Sequence, residues 1–264
     1  MTGQPLYAMA DIHGHRAEMN QVLRDEGLVN ARGDWSGGTA RLWFLGDYVD
    51  RGPDGIGVLE DVRRLTTQAT AAGGEVGTLL GNHELQLLAA RTFGARPVAG
   101  LDWPDGWYGG WMTFGGNEDD LRRLTDEHAS WIRALPGVAL VDDFLLLHSD
   151  TLDYLEFGRT ISTINVELAQ ALRAEDPEFW LQTCGRLSSR GAFRDADPAR
   201  AGDAPDRMLQ TLGGTVIVHG HTQLSQFGVE PASVTHPLRY AAGRVLDIDG
   251  GVFEGGRVLL ARLA

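Results

Sequence analysis

A chain of 264 residues with 43% hydrophobic and 22% charged residues suits one globular domain with a real core, since no long linker divides it. Its formal charge of −13, from 36 acidic against 23 basic residues, works against unaided binding to a nucleic-acid backbone or to an anionic membrane. A single cysteine, Cys184, excludes an intrachain disulfide, and with no signal-peptide pattern in Met1 to Ala10 and no membrane-length apolar run the expected location is the cytoplasm.

Short β-type runs alternate with helix-period segments. Leu6–Ala10 is an apolar run that stops at Asp11. Residues 15–28 follow as a helix with Met19, Val22 and Leu23 on one face. Arg41–Leu45 reads as a strand ending at Gly46-Asp47, and residues 55–72 as a helix stopped by Gly73-Gly74. Val76–Leu80 is a third strand, broken by Gly81-Asn82, after which Glu84–Arg91 returns to helix. Residues 94–116 form an aromatic, Gly-rich insertion with Trp103, Trp107, Trp111 and Phe114. Phe144–Leu147 ends at His148, and Thr215–Val218 at His219-Gly220-His221. Residues 194–207 read as a polar surface loop, and Val245–Ile248 with Val258–Leu263 as a terminal hairpin. The alternation predicts an α/β layered architecture, a single domain over 1–264 with an insertion at about 94–116.

Every apolar run before the tail ends in a Gly, Asp, Asn or His group. In α/β sheets the loops that leave strand C-termini gather along one edge, where ligand sites form. That rule brings together Asp11, His13, Asp47, Asn82, His148 and His221. Carboxylate, imidazole and amide oxygen in one set suit Mn²⁺, Fe²⁺ or Zn²⁺, whereas Mg²⁺ and Ca²⁺ want mostly oxygen and a structural zinc wants thiolates. Six ligands with one bridging Asp suffice for two ions, which lower the pKa of a bound water and clamp both ends of an in-line displacement. Alone, an Asp-x-His is usually a solvated turn, and Gly46-Asp47 a strand end with a helix cap. Five such strand ends in order would need five unrelated explanations.

Asp11-x-His13-Gly14, Gly46-Asp47-x-Val49-Asp50-Arg51-Gly52, Gly81-Asn82-His83-Glu84, His148 and Gly220-His221-Thr222 together resemble the calcineurin-like metallophosphoesterases. Asp50-Arg51-Gly52 is similar to the phosphoprotein phosphatase branch, and Trp111 followed by Gly115-Gly116 to its bacterial members. The resemblance implies a two-sheet β-sandwich flanked by helices, with two divalent ions at one edge, Mn²⁺ first and Fe or Zn as alternatives. It implies that Asp11 and His13 hold one ion, that Asn82, His148 and His221 hold the other, and that Asp47 bridges. A metal-bridging hydroxide would attack in line while His83, oriented by Asp50, protonates the leaving oxygen. Arg51, Asn82 and a later arginine would bind phosphate oxygens; Arg190 is the candidate, with Arg186 and Arg194 close by.

Gln223 stands where many family nucleases and diesterases carry a second His, which fits the phosphatase branch. Ser149 and Asp150 stand after His148 where phosphatases often have small residues. The implied activity is a phosphomonoesterase, foremost a protein phosphatase acting on Ser/Thr, with Tyr as a further target. The alternative is a small-molecule or nucleotide phosphoesterase, including a dinucleoside polyphosphate hydrolase. Its partner would be a phosphorylated protein or a small phosphate ester. His15 and His219 are expected to pack rather than ligate, His128 and His236 to lie on the surface, Glu84 to begin a helix, and Cys184 to be inert and half-buried. The aromatics at 103–114 are expected to pack the insertion onto the domain more than to line a pocket.

Overall fold

The first strand, β1 (Leu6–Met9), is buried along its whole length because both of its faces are covered. Leu6, Ala8 and the following Ala10 face one apolar cluster, while Tyr7 and Met9 face another. A period of two sends neighbours to opposite faces, so a strand covered twice reads as a continuous apolar run. The computed structural model describes residues 3–99, 103–194 and 203–264.

Around β1 the first sheet is built from β2 (Arg41–Phe44), β3 (Glu75–Thr78) and β9 (Leu260–Arg262), in the order β3-β2-β1-β9. The first three strands are parallel, with Leu6 opposite Arg41 and Leu42 opposite Val76; β9 runs antiparallel to β1. The second sheet holds β4 (Val138–Val141), β5 (Phe144–Leu147), β6 (Val216–His219), β7 (Leu238–Tyr240) and β8 (Val245–Asp247), in the order β4-β5-β6-β8-β7. There β5, β6 and β8 are parallel. Leu146, Val218 and Leu246 meet Leu6, Ala8 and Leu45 between the sheets, while Leu145, Ile217 and Val245 turn outward to the helices. The result is two mixed sheets face to face with helices outside, the α/β sandwich expected.

The helices are α1 (Arg16–Asp25), α2 (Gly55–Ala71), α3 (Asn82–Phe93), α4 (Gly106–Thr113), α5 (Glu118–Arg123), α6 (Asp126–Ile132), α7 (Ile161–Ala171), α8 (Pro177–Ser188) and α9 (Ala204–Leu212). Their starts are locally encoded. Asp54 caps α2 by accepting from the Gly57 amide at 3.0 Å, and Asp176 caps α8 from Glu178 at 2.9 Å with Pro177 in the first turn. On α1, Met19 and Leu23 are buried and Val22 packs beside them. No helix among the described residues is long and apolar enough to cross a membrane.

Three readings change. The terminal hairpin does not form, because β8 pairs with β6 and β7 in one sheet while β9 crosses to pair with β1 in the other. Gly-rich turns mark a reversal of chain but not the sheet each arm enters. The polar stretch 194–207 contains the start of α9, capped by Asp203, and its residues 195–202 lie outside the described residues, as do 100–102 of the insertion. His128 is buried, not superficial: it sits three residues into α6 and its Nδ1 accepts the Thr125 amide while Thr125 Oγ1 accepts its own.

Candidate metal centre

The parallel strands of both sheets point their C-terminal ends the same way, and the loops beyond them converge. Asp11, His13, Asp47, Asn82, His83, His148 and His221 are each no more than 4% exposed. Ligand atoms of His13, Asp47 and His83 lie within 4.8 Å of one another, as do those of Asp47, His148 and His221, so Asp47 is common to both groups.

Backbone contacts fix the imidazole tautomers. Nδ1–H of His13 donates to the Val49 carbonyl at 3.1 Å, and that of His148 to the Leu45 carbonyl at 2.8 Å. Each Nε2 is left with a bare lone pair. That of His148 lies 2.9 Å from Asn82 Oδ1 and 3.4 Å from Asp47 Oδ1. That of His13 lies 3.6 Å from Asp47 Oδ2 and 4.0 Å from Asp11 Oδ1, and this last oxygen is buried without a hydrogen-bond partner among the described residues. His221 is held the other way round, Nε2–H donating to the Ser188 carbonyl at 3.0 Å, which frees Nδ1. Lone pairs aimed at one another in a dry site repel unless a cation lies between them. The residues therefore fit a divalent-ion centre.

Electrostatics agree. Burial holds the His13, His148 and His221 imidazoles below their ordinary range, the neutral form a metal requires. Burial raises Asp11 well above the usual carboxylate range, with Asp249 and Asp47 adding to it. Burial also pushes on Asp47, but the surrounding imidazoles, His148 foremost, outweigh it and hold this carboxyl low.

The supporting backbone is tense. Asp11, His13, Asp47, Asp50, Arg51 and His221 all have positive φ, between 45° and 68°, six of the nine described non-glycine residues that do. Such backbone strain is retained where surrounding contacts over-determine it. Two glycines are needed for close approach: a Cβ on Gly220 would stand 1.9 Å from Asp11 Oδ2, and one on Gly81 2.2 Å from Asp47 Oδ1.

His83 stands beside the ligands. Its Nδ1–H donates to Asp50 Oδ2 at 2.8 Å, and its Nε2 is 3.4 Å from Arg51 Nη2. Burial lowers its pKa, but the Asp47 charge and the Asp50 hydrogen bond prevail and raise it. Asp50 is fully buried and also accepts the Trp111 indole N–H, while its amide donates to Asp120. The three arginine candidates separate. Arg190 lines the same cavity as the ligands, Arg186 lies over the Phe157 ring, and Arg194 bonds Gln226. Asp150, also buried, accepts from the Gly191 amide and the Thr222 hydroxyl, tying the Arg190 segment to the His221 loop.

His15 and His219 do not join the ligands: His15 faces Glu18, and His219 bonds the Tyr240 hydroxyl at 2.8 Å. His236 is exposed. Glu84 lies in the first turn of α3, which begins two residues earlier at Asn82, but its larger work is different. It is fully buried and accepts the amides of Asp47, Tyr48, Val49 and Gly81, clamping the Asp47 loop. The aromatics divide, Trp107 and Trp111 packing inside while Trp103 and Phe114 line the cavity. Cys184 is buried rather than half-buried and lines it too.

Sequence reasoning missed Asp249 and Phe253. Asp249 is fully buried, its Oδ2 has no hydrogen-bond partner among the described residues, and its charge acts on Asp11; burial pushes it up to about 7. It ends a strand at a Gly-Gly, the same signal as the other ligand loops. Phe253 carries the Arg51 guanidinium 3.8 Å above its ring and meets His13 edge-on.

The family model for calcineurin-like phosphoesterases matches residues 5–224. A symmetrical bis(5'-nucleosyl)-tetraphosphatase of Janthinobacterium sp. (strain Marseille) is 28% identical over 67% of this chain and 54% of its own length. Shewanella-like protein phosphatase 2 of Arabidopsis thaliana is 32% identical over 30% of this chain and 20% of its own. The chain thus spans between a fifth and about half of these relatives. The solved cold-active protein-tyrosine phosphatase of a psychrophilic Shewanella sp. superposes with a TM-score of 0.68 at 20% identity, over 97% of this chain and 75% of that one.

Proposed function

From the premise that this chain belongs to the calcineurin-like phosphoesterase family, we propose that it is a metal-dependent phosphoric ester hydrolase acting on phosphate monoesters, foremost those of phosphorylated proteins. The observation that supports this reading is that the bare Nε2 atoms of His13 and His148 face the two oxygens of Asp47, while Asp11 Oδ1 lies beside the first imidazole and Asn82 Oδ1 beside the second.

Asp11, His13 and Asp47 would hold one divalent ion, and Asp47, Asn82, His148 and His221 a second, with Mn²⁺ proposed and Fe or Zn as alternatives. Bound there, the ions supply an activated water and positive charge against the phosphoryl oxygens. The remaining work belongs to the side chains. Arg51, held over Phe253, would offer its fork to phosphate oxygens, and Arg190 and the Asn82 amide, which line the same cavity, would offer further donors. His83 presents Nε2 beside Arg51 while Nδ1 is anchored to Asp50, so a proton held on Nε2 is aimed at the departing ester oxygen. Asp50 keeps that ring from turning and favours its protonated form.

A second reading is hydrolysis of a small phosphate ester or a dinucleoside polyphosphate, favoured by the longer of the curated matches, a bis(5'-nucleosyl)-tetraphosphatase. One experiment tests both. Purified protein with Mn²⁺ is assayed on p-nitrophenyl phosphate, phosphopeptides, nucleotides, a dinucleoside tetraphosphate and a diester, with and without chelator. Chelator-sensitive turnover of monoesters supports the first reading. Turnover confined to the dinucleotide supports the second, and chelator-insensitive turnover overturns both.

A further inference from the structure

The cavity over the ligands, about 270 Å³, has two unlike sides. Its floor is polar and cationic, carrying the ligand side chains with Arg51 and Arg190. One wall is apolar and comes from two elements the ligand motifs do not touch. Trp103 and Phe114 flank α4, and Leu181 and Cys184 project from α8. Leu181, Cys184, Gly185 and Ser188 are spaced i, i+3, i+4, i+7, which puts one face of α8 into the cavity. Burial pushes the Cys184 thiol up to about 11, so it is uncharged at neutral pH and serves as a small apolar surface.

This wall is braced. Trp103 stands edge-on to Trp107 at 5.7 Å and to Phe114 at 6.4 Å, and Trp107 is buried against Phe93 at 6.5 Å. Phe114 is 51% exposed, an aromatic left at the mouth with half its surface uncovered. A flat ring entering the cavity would meet Trp103, Phe114 and the α8 face in the same cavity that the Arg51 and Arg190 side chains line. The volume lies below the ~300–1,000 Å³ of pockets that enclose drug-sized ligands, which leaves room for a phosphoryl group and one ring but not for two nucleosides. A serine or threonine ester would place only a methylene or methyl against this wall.

We propose that the wall formed by Trp103, Phe114, Leu181 and the Cys184–Gly185 turn of α8 is a leaving-group pocket that selects aryl phosphate monoesters, the phosphorylated tyrosine side chain being the form found in proteins. This rests on the phosphomonoesterase reading and narrows its substrate class.

Gly185 supplies the test. Among the described residues, and apart from the backbone of α8 itself and its chain neighbours, nothing lies within 4 Å of where a Gly185 Cβ would stand, and leucine is a better helix former than glycine, so Gly185→Leu extends into the pocket from a helix that accepts it. Binding of phenylphosphonate and methylphosphonate to the Mn²⁺-loaded protein is measured by calorimetry, and phosphotyrosine and phosphoserine versions of one peptide are compared as substrates. Phenylphosphonate should bind about 10-fold tighter than methylphosphonate, and Gly185→Leu should erase that difference while leaving methylphosphonate affinity within twofold. The same variant, and Trp103→Ala, should raise KM for the phosphotyrosine peptide about 10-fold more than for the phosphoserine peptide. Equal binding of the two phosphonates, or equal loss on both peptides, overturns the pocket while leaving the monoesterase reading intact. Absence of any monoester turnover removes both, and a dinucleoside tetraphosphate that outperforms every monoester and depends on Trp103 shows that the wall receives a nucleobase instead.

Discussion

The indole N–H of Trp111 sits 2.9 Å from each carboxylate oxygen of Asp50. Trp111 belongs to α4, and Asp50 in turn anchors His83. The 94–116 segment thereby reaches His83, the proposed proton donor, through the Asp50 carboxylate that both share. Trp111→Phe keeps most of the buried volume and deletes that bond; hydrogen bonds to a charged group contribute about 1.5–3 kcal/mol. The expected outcome is a kcat on a poor leaving group lowered about 10-fold, with p-nitrophenyl phosphate less affected and metal content unchanged. Equal loss on both esters would mean that Trp111 only supports the fold.

Asp47 is proposed to serve both ions, so Asp47→Asn should lose metal and activity together. The chain would bind at most one ion per molecule where the parent binds two, measured by elemental analysis after dialysis. Two retained ions would refute the bridge.

His83→Asn should retain both ions and bind phosphate normally, yet lose about 10²–10⁴ in rate on alkyl esters, the usual extent of general acid loss. Aryl esters with stable leaving anions need the proton least and should lose least. A uniform loss across leaving groups counts against the proton-donor role.

Away from the centre, Asp61 accepts both nitrogens of an Arg16 fork at 2.7 and 2.9 Å, with Arg64 and Asn20 each at 2.8 Å. Burial raises its pKa, but these partners outweigh burial and hold it at about 2. A carboxyl lower in the folded than in the unfolded chain stabilises the fold above its unfolded pKa, near 4, and stops doing so as pH falls through 2. Asp61→Asn should therefore cost about 1–2 kcal/mol at pH 7, allowing for solvent screening, as read from urea unfolding. The gap from the parent should close between pH 4 and pH 2. A gap independent of pH would mean that packing, not charge, is what the substitution removes.

Much of this site is written locally. A strand that ends in Asp, Asn or His says little by itself, but five such ends in order mark Asp11, Asp47, Asn82, His148 and His221 as candidate ligands together. Asp249 carried the same mark, yet its Gly-Gly reads equally as a hairpin turn, and only the pairing of β8 beside β6 brings it to the centre. The clamp made by Glu84 is equally hidden, because a helix-starting acid gives no local sign of the loop, some 35 residues upstream, whose amides it collects. The apolar wall was illegible for a third reason. The face of α8 matters through where the helix docks, and docking is decided by packing against α3 rather than by the helix's own pattern.

Under the proposed function, the left-handed backbone at Asp11, His13, Asp47, Asp50, Arg51 and His221 sets stability and catalysis against each other. Glycine would sit more comfortably at each of the six, releasing on the order of 1 kcal/mol of torsional tension apiece, yet each such exchange deletes a group to which the proposed function assigns a role. A search for hardier variants scored by melting temperature alone would be drawn to these positions early and would return robust, inert proteins. Thermal selection on this scaffold has to be coupled to turnover from its first round.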